Sequence, residues 1–243
     1  MFLKKWAFVG IPAVAVALGA SGAVRAAELV VNGSFESTTH GGGQMGFNTN
    51  ATGWTTTGYN FIFPEGTADT TGVTGQYGNL QLWGPNNGSA NGLPTASPDG
   101  GNFVAADGAF EGHVAPIEQT INGLTVGASY DVSFYWAGAQ QQGFDGATTE
   151  QWQVSFGSET QSTSVWHNPD HGFSGWMHET FTFTAQNTSE LLSFLAVGTP
   201  DGVPPFVLLD GVSVVASVPE PTALSLMALG LVGLGAVKLR RRG

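Results

Sequence analysis

The chain has 243 residues, with 18 Asp and Glu against 7 Lys and Arg, a formal net charge of −11 and no cysteine. All seven cations sit at the two ends: Lys4, Lys5 and Arg25 at the start, Lys238 and Arg240 to Arg242 at the finish. Residues 27–217 therefore hold every carboxylate except Glu220 and no Lys or Arg. That distribution excludes nucleic-acid binding, whose affinity comes from phosphates neutralised by Lys and Arg, and the missing cysteines exclude disulfides, thiolate nucleophiles and Cys-ligated zinc.

In chain order, Lys4 and Lys5 form a positive region and Trp6 to Ala20 an apolar one. Val24-Arg25-Ala26 is a small-residue cleavage site. This is the pattern of a secretory signal peptide helix, residues 1–26, cut after Ala26. From there to Val215 no 3.6-residue periodicity is sustained, while period-two alternation is plain. Tyr130, Val132, Phe134 and Trp136 share one face of a run, and Trp152, Val154 and Phe156 alternate with Gln151, Gln153 and Ser155. Phe181 and Phe183 alternate with threonines. Further strands are expected at 29–31, 79–83, 102–105, 118–121, 191–197 and 206–215. Residues 37–75 and 84–101, rich in Gly, Thr, Asn and Pro, read as loops. Many antiparallel strands with no helix between them predict an all-β, two-sheet antiparallel jelly-roll sandwich forming one domain, residues 27–216.

Aromatic residues in polar loops are the candidates for a glycan face, since sugar C–H faces pack on exposed rings while amides bind hydroxyls. They are Trp54, Tyr59, Trp166, Phe173 and Trp176, with Gln140 to Gln142 and Gln153 beside them; Trp136 and Trp152 are assigned to the core. His167, Asp170, His171, His178 and Glu179 have the residue types of a metal site. Pro169 breaks the helix that would present the two histidines together, so a polar surface loop is the expected reading. No nucleophile elbow, zinc-protease helix or phosphate-binding loop occurs, and no catalytic residue is assigned.

The chain closes on Pro219-Glu220-Pro221, an apolar stretch from Thr222 to Val237, and Arg240, Arg241 and Arg242. With Lys238 and Leu239 the stretch reaches 18 residues, or about 27 Å as a helix, enough to cross a bilayer core once. The arginines orient it with the C-terminus in the cytoplasm.

These three elements, residues 217–243, resemble the PEP-CTERM sorting tail of Gram-negative bacteria. The resemblance implies export, signal peptidase and secretion machinery as partners, and transient anchoring in the inner membrane. It also implies cutting by an exosortase-type membrane protease, and a final place at the cell surface or in an exopolysaccharide matrix. A second resemblance rests on "LVVNGSFE", "EQTINGLTVGASYDVSFYWAG" and "FVLLDGVSVV". These look like galactose-binding-like jelly rolls, the fold of several carbohydrate-binding modules. It implies a structural calcium held by Glu36 and Asp210, where the opening and closing strands meet. Relatives often carry a second acid where this chain has Gly211. The expected function is a non-catalytic module that binds extracellular polysaccharide. The alternatives are a structural surface protein bridged by divalent cations, a polysaccharide hydrolase, or an ice-binding protein.

Overall fold

Successive side chains of a strand face opposite sides, so apolar–polar alternation puts one row into a core and the other into water. Trp152 and Val154 are fully buried, whereas Gln153 between them is exposed. The computed structural model describes residues 27–217; the expected signal peptide, and residues Pro219, Glu220, Pro221 and Arg240 to Arg242, lie outside that range.

The strands are β1 (Gly43–Gln44), β2 (Asn60–Phe63), β3 (Val73–Gly75), β4 (Gly78–Leu80), β5 (Phe103–Asp107) and β6 (Ile117–Asn122). Then come β7 (Ser129–Gln140), β8 (Thr148–Phe156), β9 (Glu159–Ser162) and β10 (Trp166–Asn168). The last three are β11 (Met177–Thr184), β12 (Ser189–Thr199) and β13 (Pro205–Ala216). One sheet has the order β1-β2-β5-β13-β7-β11 and the other β10-β8-β12-β6, with β9 pairing β8. Every pair is antiparallel, and β3 and β4 form a separate hairpin. From β5 to β8 and from β11 to β13 the chain alternates between the two sheets, which is jelly-roll connectivity.

Between the sheets lies a core built on Trp136, Trp152, Phe134, Phe156, Phe183 and Phe194. A second core covers the outer face of the six-stranded sheet. Phe61, Phe63, Phe103, Ala105, Ala137, Ala139, Phe206 and Leu208 point there, under Ala68, Val73, Leu80, Leu82 and Leu93 from residues 64–98. The sequence explains this layer. Phe61-Ile62-Phe63 and Phe103-Val104-Ala105-Ala106 are continuous apolar runs, and a strand of that kind is stable only when both its faces are covered.

Several expectations are corrected. Residues 37–75 contain β1, β2 and β3, because Phe61, Ile62 and Phe63 interrupt the polar run with a buried strand. Leu29–Val31 forms no strand; Leu29 N–H donates to Val214 O at 3.0 Å, and the N–H groups of Leu29 and Val30 turn onto Glu28 Oε1. The strand expected at 79–83 ends at Leu80, after which Leu82 makes only an isolated bridge to Gln141.

Candidate functional site

At one end of the six-stranded sheet, β5 finishes at Asp107 opposite Phe206 of β13. The flanking loops there enclose a cavity of about 330 Å³. Tyr59 enters just before β2, Tyr77 from the β3–β4 turn and Phe110 from the loop after β5; Gln141 and Phe144 follow β7, and Asp201 precedes β13. Tyr59, Tyr77 and Phe110 touch one another, with ring centroids 5.7, 5.3 and 5.6 Å apart and tilts from 48° to 80°. His113 braces them from one side. It packs on Phe110 with a centroid separation of 4.3 Å, and its Nε2 lies 3.2 Å from the Tyr77 hydroxyl. Tyr77 is nevertheless 60% exposed and Phe144 37%, so apolar ring surface is offered to solvent inside a polar frame.

Asp107 is 2% exposed. Its Oδ1 accepts the N–H groups of Ala109 and Phe110 at 2.9 and 3.1 Å, and no group bonds its Oδ2 among the described residues. Burial raises its pKa from 3.8 to about 6, with Asp201 adding repulsion and the two N–H bonds opposing the rise. Burial also raises Tyr59 to about 12, helped by the charge of Asp107. The cavity thus combines an aromatic wall, a buried carboxylate, an exposed carboxylate and two side-chain amides, Gln141 and Asn79. That set can stack on a ring and bind its hydroxyls or a cation.

A second polar site lies at the start of the jelly roll. Asp210 is fully buried; Ser97 Oγ donates to its Oδ2, while its Oδ1 has no hydrogen-bond partner. Burial pushes its pKa from 3.8 to about 8, against the Ser97 and Gly211 hydrogen bonds and with repulsion from Asp99 and Glu36. Glu36 Oε1 accepts the N–H of Asn102 at 2.6 Å. Gly211 has φ +58°, and a Cβ there would stand 2.9 Å from the Tyr135 ring and 3.3 Å from Asp99. The bulge between Asp210 and Ser213 leaves no room for a second acid at that position, and Asp99 of the 97–101 loop brings one in from outside. An orphaned carboxylate oxygen with Glu36 and Asp99 nearby has the donor chemistry of a calcium site, although the three carboxylates do not all lie within 4.8 Å of one another. Asp99 was not singled out in the sequence, where "SPDGG" reads as a turn.

A third buried carboxylate, Glu150 of β8, faces between the sheets. Thr148 Oγ1 donates to its Oε1, and its Oε2 has no partner. Trp166 Nε1 and Asn168 Oδ1, on the neighbouring β10, are likewise buried and unpaired.

The expected glycan residues do not form one face. Trp54 is only 3% exposed, stacks on Phe35 and donates its indole N–H to Asn32 O at 3.0 Å, so it belongs to the inter-sheet core. The Asn32-Gly33 segment folds back over it, which a polar-loop reading cannot show. Tyr59 does line the cavity. Trp166 packs on the inter-sheet core, while Phe173 and Trp176 pack on the second core. Gln153 faces solvent on the outer side of the other sheet, between Leu195 and Ser162. Tyr77, Phe110 and Phe144 were missed. "GQYGN" and "ADGAFEG" are turns in the sequence, and only the closing of β2 beside β5 brings them together.

The histidine loop holds a compact polar cluster. His171 Nε2 lies 2.7 Å from Asp145 Oδ1 and 3.4 Å from Asp170 Oδ1, and its ring stacks on Trp83 at 3.9 Å. His167 sits on β10 and His178 against Tyr135 on β11, so neither joins it.

Among solved structures, the CBM22-1 xylan-binding domain from Paenibacillus barcinonensis Xyn10C is similar over 79% of this chain and 95% of its own, at 13% identity and TM-score 0.40. TmCBM61 in complex with β-1,4-galactotriose is similar over 79% of this chain and 99% of its own, at 14% identity and TM-score 0.38. The Clostridium thermocellum Xyn10B CBM22-1–GH10 modules complexed with xylohexaose are similar over 79% of this chain and 29% of theirs, at 14% identity and TM-score 0.39. No curated protein matches the chain. Residues 217–242 match the family model of the PEP-CTERM protein-sorting motif, so the chain ends in that motif.

Proposed function

We propose that this is an exported surface protein of a Gram-negative bacterium that binds extracellular glycan, without catalysis, in the cavity at the end of β5. The observation that carries the reading is the wall of Tyr59, Tyr77 and Phe110 standing beside Asp107, Asp201, Gln141 and Asn79. Ring faces stack on sugar C–H surfaces while carboxylates and amides take the hydroxyls. A volume of 330 Å³ is at the lower end of the range for small-ligand sites, about 300–1,000 Å³, which suits one or two sugar rings of a longer chain. The sorting motif supports the location: a tail processed by an exosortase-type protease delivers the domain to the outer surface, where polysaccharide is the abundant ligand.

A second role accompanies it. The orphaned Asp210 Oδ1, with Glu36 and Asp99 beside it, supports a structural calcium that fastens the opening segment to β13. That site stabilises the fold and is separate from the glycan cavity.

Affinity electrophoresis of the full chain through gels containing neutral, anionic or amino-bearing polysaccharides tests the reading. At least one polymer should retard the protein, and Tyr77→Ala should restore its mobility. Free migration through every polymer contradicts it.

A further inference from the structure

A glycan can present neutral, anionic or cationic groups, and the residues around the cavity discriminate among these. Its charged lining side chains are Asp107 and Asp201, and residues 27–217 contain no Lys or Arg to offset them. A uronic acid entering here meets two carboxylates and no cation. A neutral sugar leaves both carboxylates bound only to hydroxyls. A protonated amine supplies the missing countercharge, at a buried group whose Oδ2 is bonded by none of the described residues.

The rings work in the same direction. Aromatic faces carry negative charge density and attract ammonium groups that approach within about 6 Å of the ring centre. Tyr77 and Phe144, both exposed, stand on the same cavity as the two carboxylates. Tyr59 stays a neutral phenol, so it adds ring surface and a hydrogen-bond donor but no charge. Resting on the glycan reading above, we propose that the cavity selects glycans bearing a free, protonated amine, such as polymers of de-N-acetylated hexosamine, over neutral and uronic-acid glycans.

Titration calorimetry of the full chain against three tetrasaccharides of equal length tests this: tetraglucosamine, its fully N-acetylated form and tetragalacturonate. Tetraglucosamine should bind at least about tenfold more tightly than the acetylated form, and tetragalacturonate should give no heat. Asp201→Asn, on an exposed loop, should shrink that ratio several-fold, while Glu65→Gln, exposed and outside the cavity, should leave it unchanged. Equal or tighter binding of the acetylated form overturns the selectivity and leaves the glycan reading standing. Failure of tetraglucosamine to bind overturns it as well, and if no polysaccharide retards the protein the glycan reading falls too. An equal loss in Glu65→Gln and Asp201→Asn also overturns it, because attraction to the general acidic surface would then explain the result.

Discussion

Five carboxylates among the described residues are buried without a Lys or Arg partner. Asp69 is satisfied by Asn86 and Glu190 by Gln186 and Asn187, and the other three meet that situation differently. Asp107 keeps its charge near neutral pH by accepting two backbone N–H groups at the cavity. Asp210, whose Oδ1 has no partner, would be relieved by the proposed cation. Glu150 has neither device: burial raises its pKa from 4.5 to about 8, only partly offset by the hydrogen bond from Thr148. A proton on Glu150 makes it a donor among unpaired acceptors such as Asn168 Oδ1. Because the folded state holds that proton more tightly than the unfolded chain, this group's contribution to stability is full below about pH 4.5 and declines as pH rises toward 8. Glu150→Gln keeps an acceptor for Thr148 and removes the ionisation. The variant should therefore flatten the pH dependence of stability over that window. It should gain on the order of 2 kcal/mol over the parent at the alkaline end. Urea melts at a series of pH values check this, and parallel curves for the two proteins would contradict it.

At the scale of elements, the alternating strands were legible because period-two patterning survives wherever one face is wet. β7, β8, β11 and β12 all appear at nearly their observed places. β2 was hidden for the opposite reason. A run buried on both faces has no alternation, and four residues set among Gly, Thr and Asn look like part of a loop. The candidate site was poorly legible because it is assembled from turns whose neighbours in space are distant in sequence; Tyr59 alone of its aromatic wall was anticipated. Of the residues named for calcium, Glu36 lies near enough to Asp210 to repel its charge, as does Asp99 of the 97–101 loop. Chelator should therefore lower the melting temperature, by several degrees for a contribution of about 1–2 kcal/mol. Calcium should restore it, and Asp210→Asn should abolish the difference while remaining stable in chelator, since it removes a buried, repelled charge. A melting temperature indifferent to chelator and calcium would contradict the site.

Across the whole molecule, charge and address separate cleanly. Every Lys and Arg lies at the two ends, three before residue 27 and four within the sorting motif, and residues 27–217 carry carboxylates with no Lys or Arg. Such a surface repels polyanions and attracts divalent cations and amines, in keeping with the proposed calcium site and the proposed ligand class. The two cores carry separate duties. One joins the sheets, and the other closes the outer face of the six-stranded sheet under residues 64–98, leaving the cavity at its end as the opening where aromatic rings meet solvent. The most direct test of that assignment is to compare glycan affinity among the parent, Tyr77→Ala and Gln153→Ala, using the polymer that retards the parent. The account predicts a loss of about fivefold to tenfold for Tyr77→Ala, from a stacking contact worth about 1–1.5 kcal/mol, and no change for Gln153→Ala on the other sheet. Unchanged affinity in Tyr77→Ala together with a loss in Gln153→Ala would contradict it.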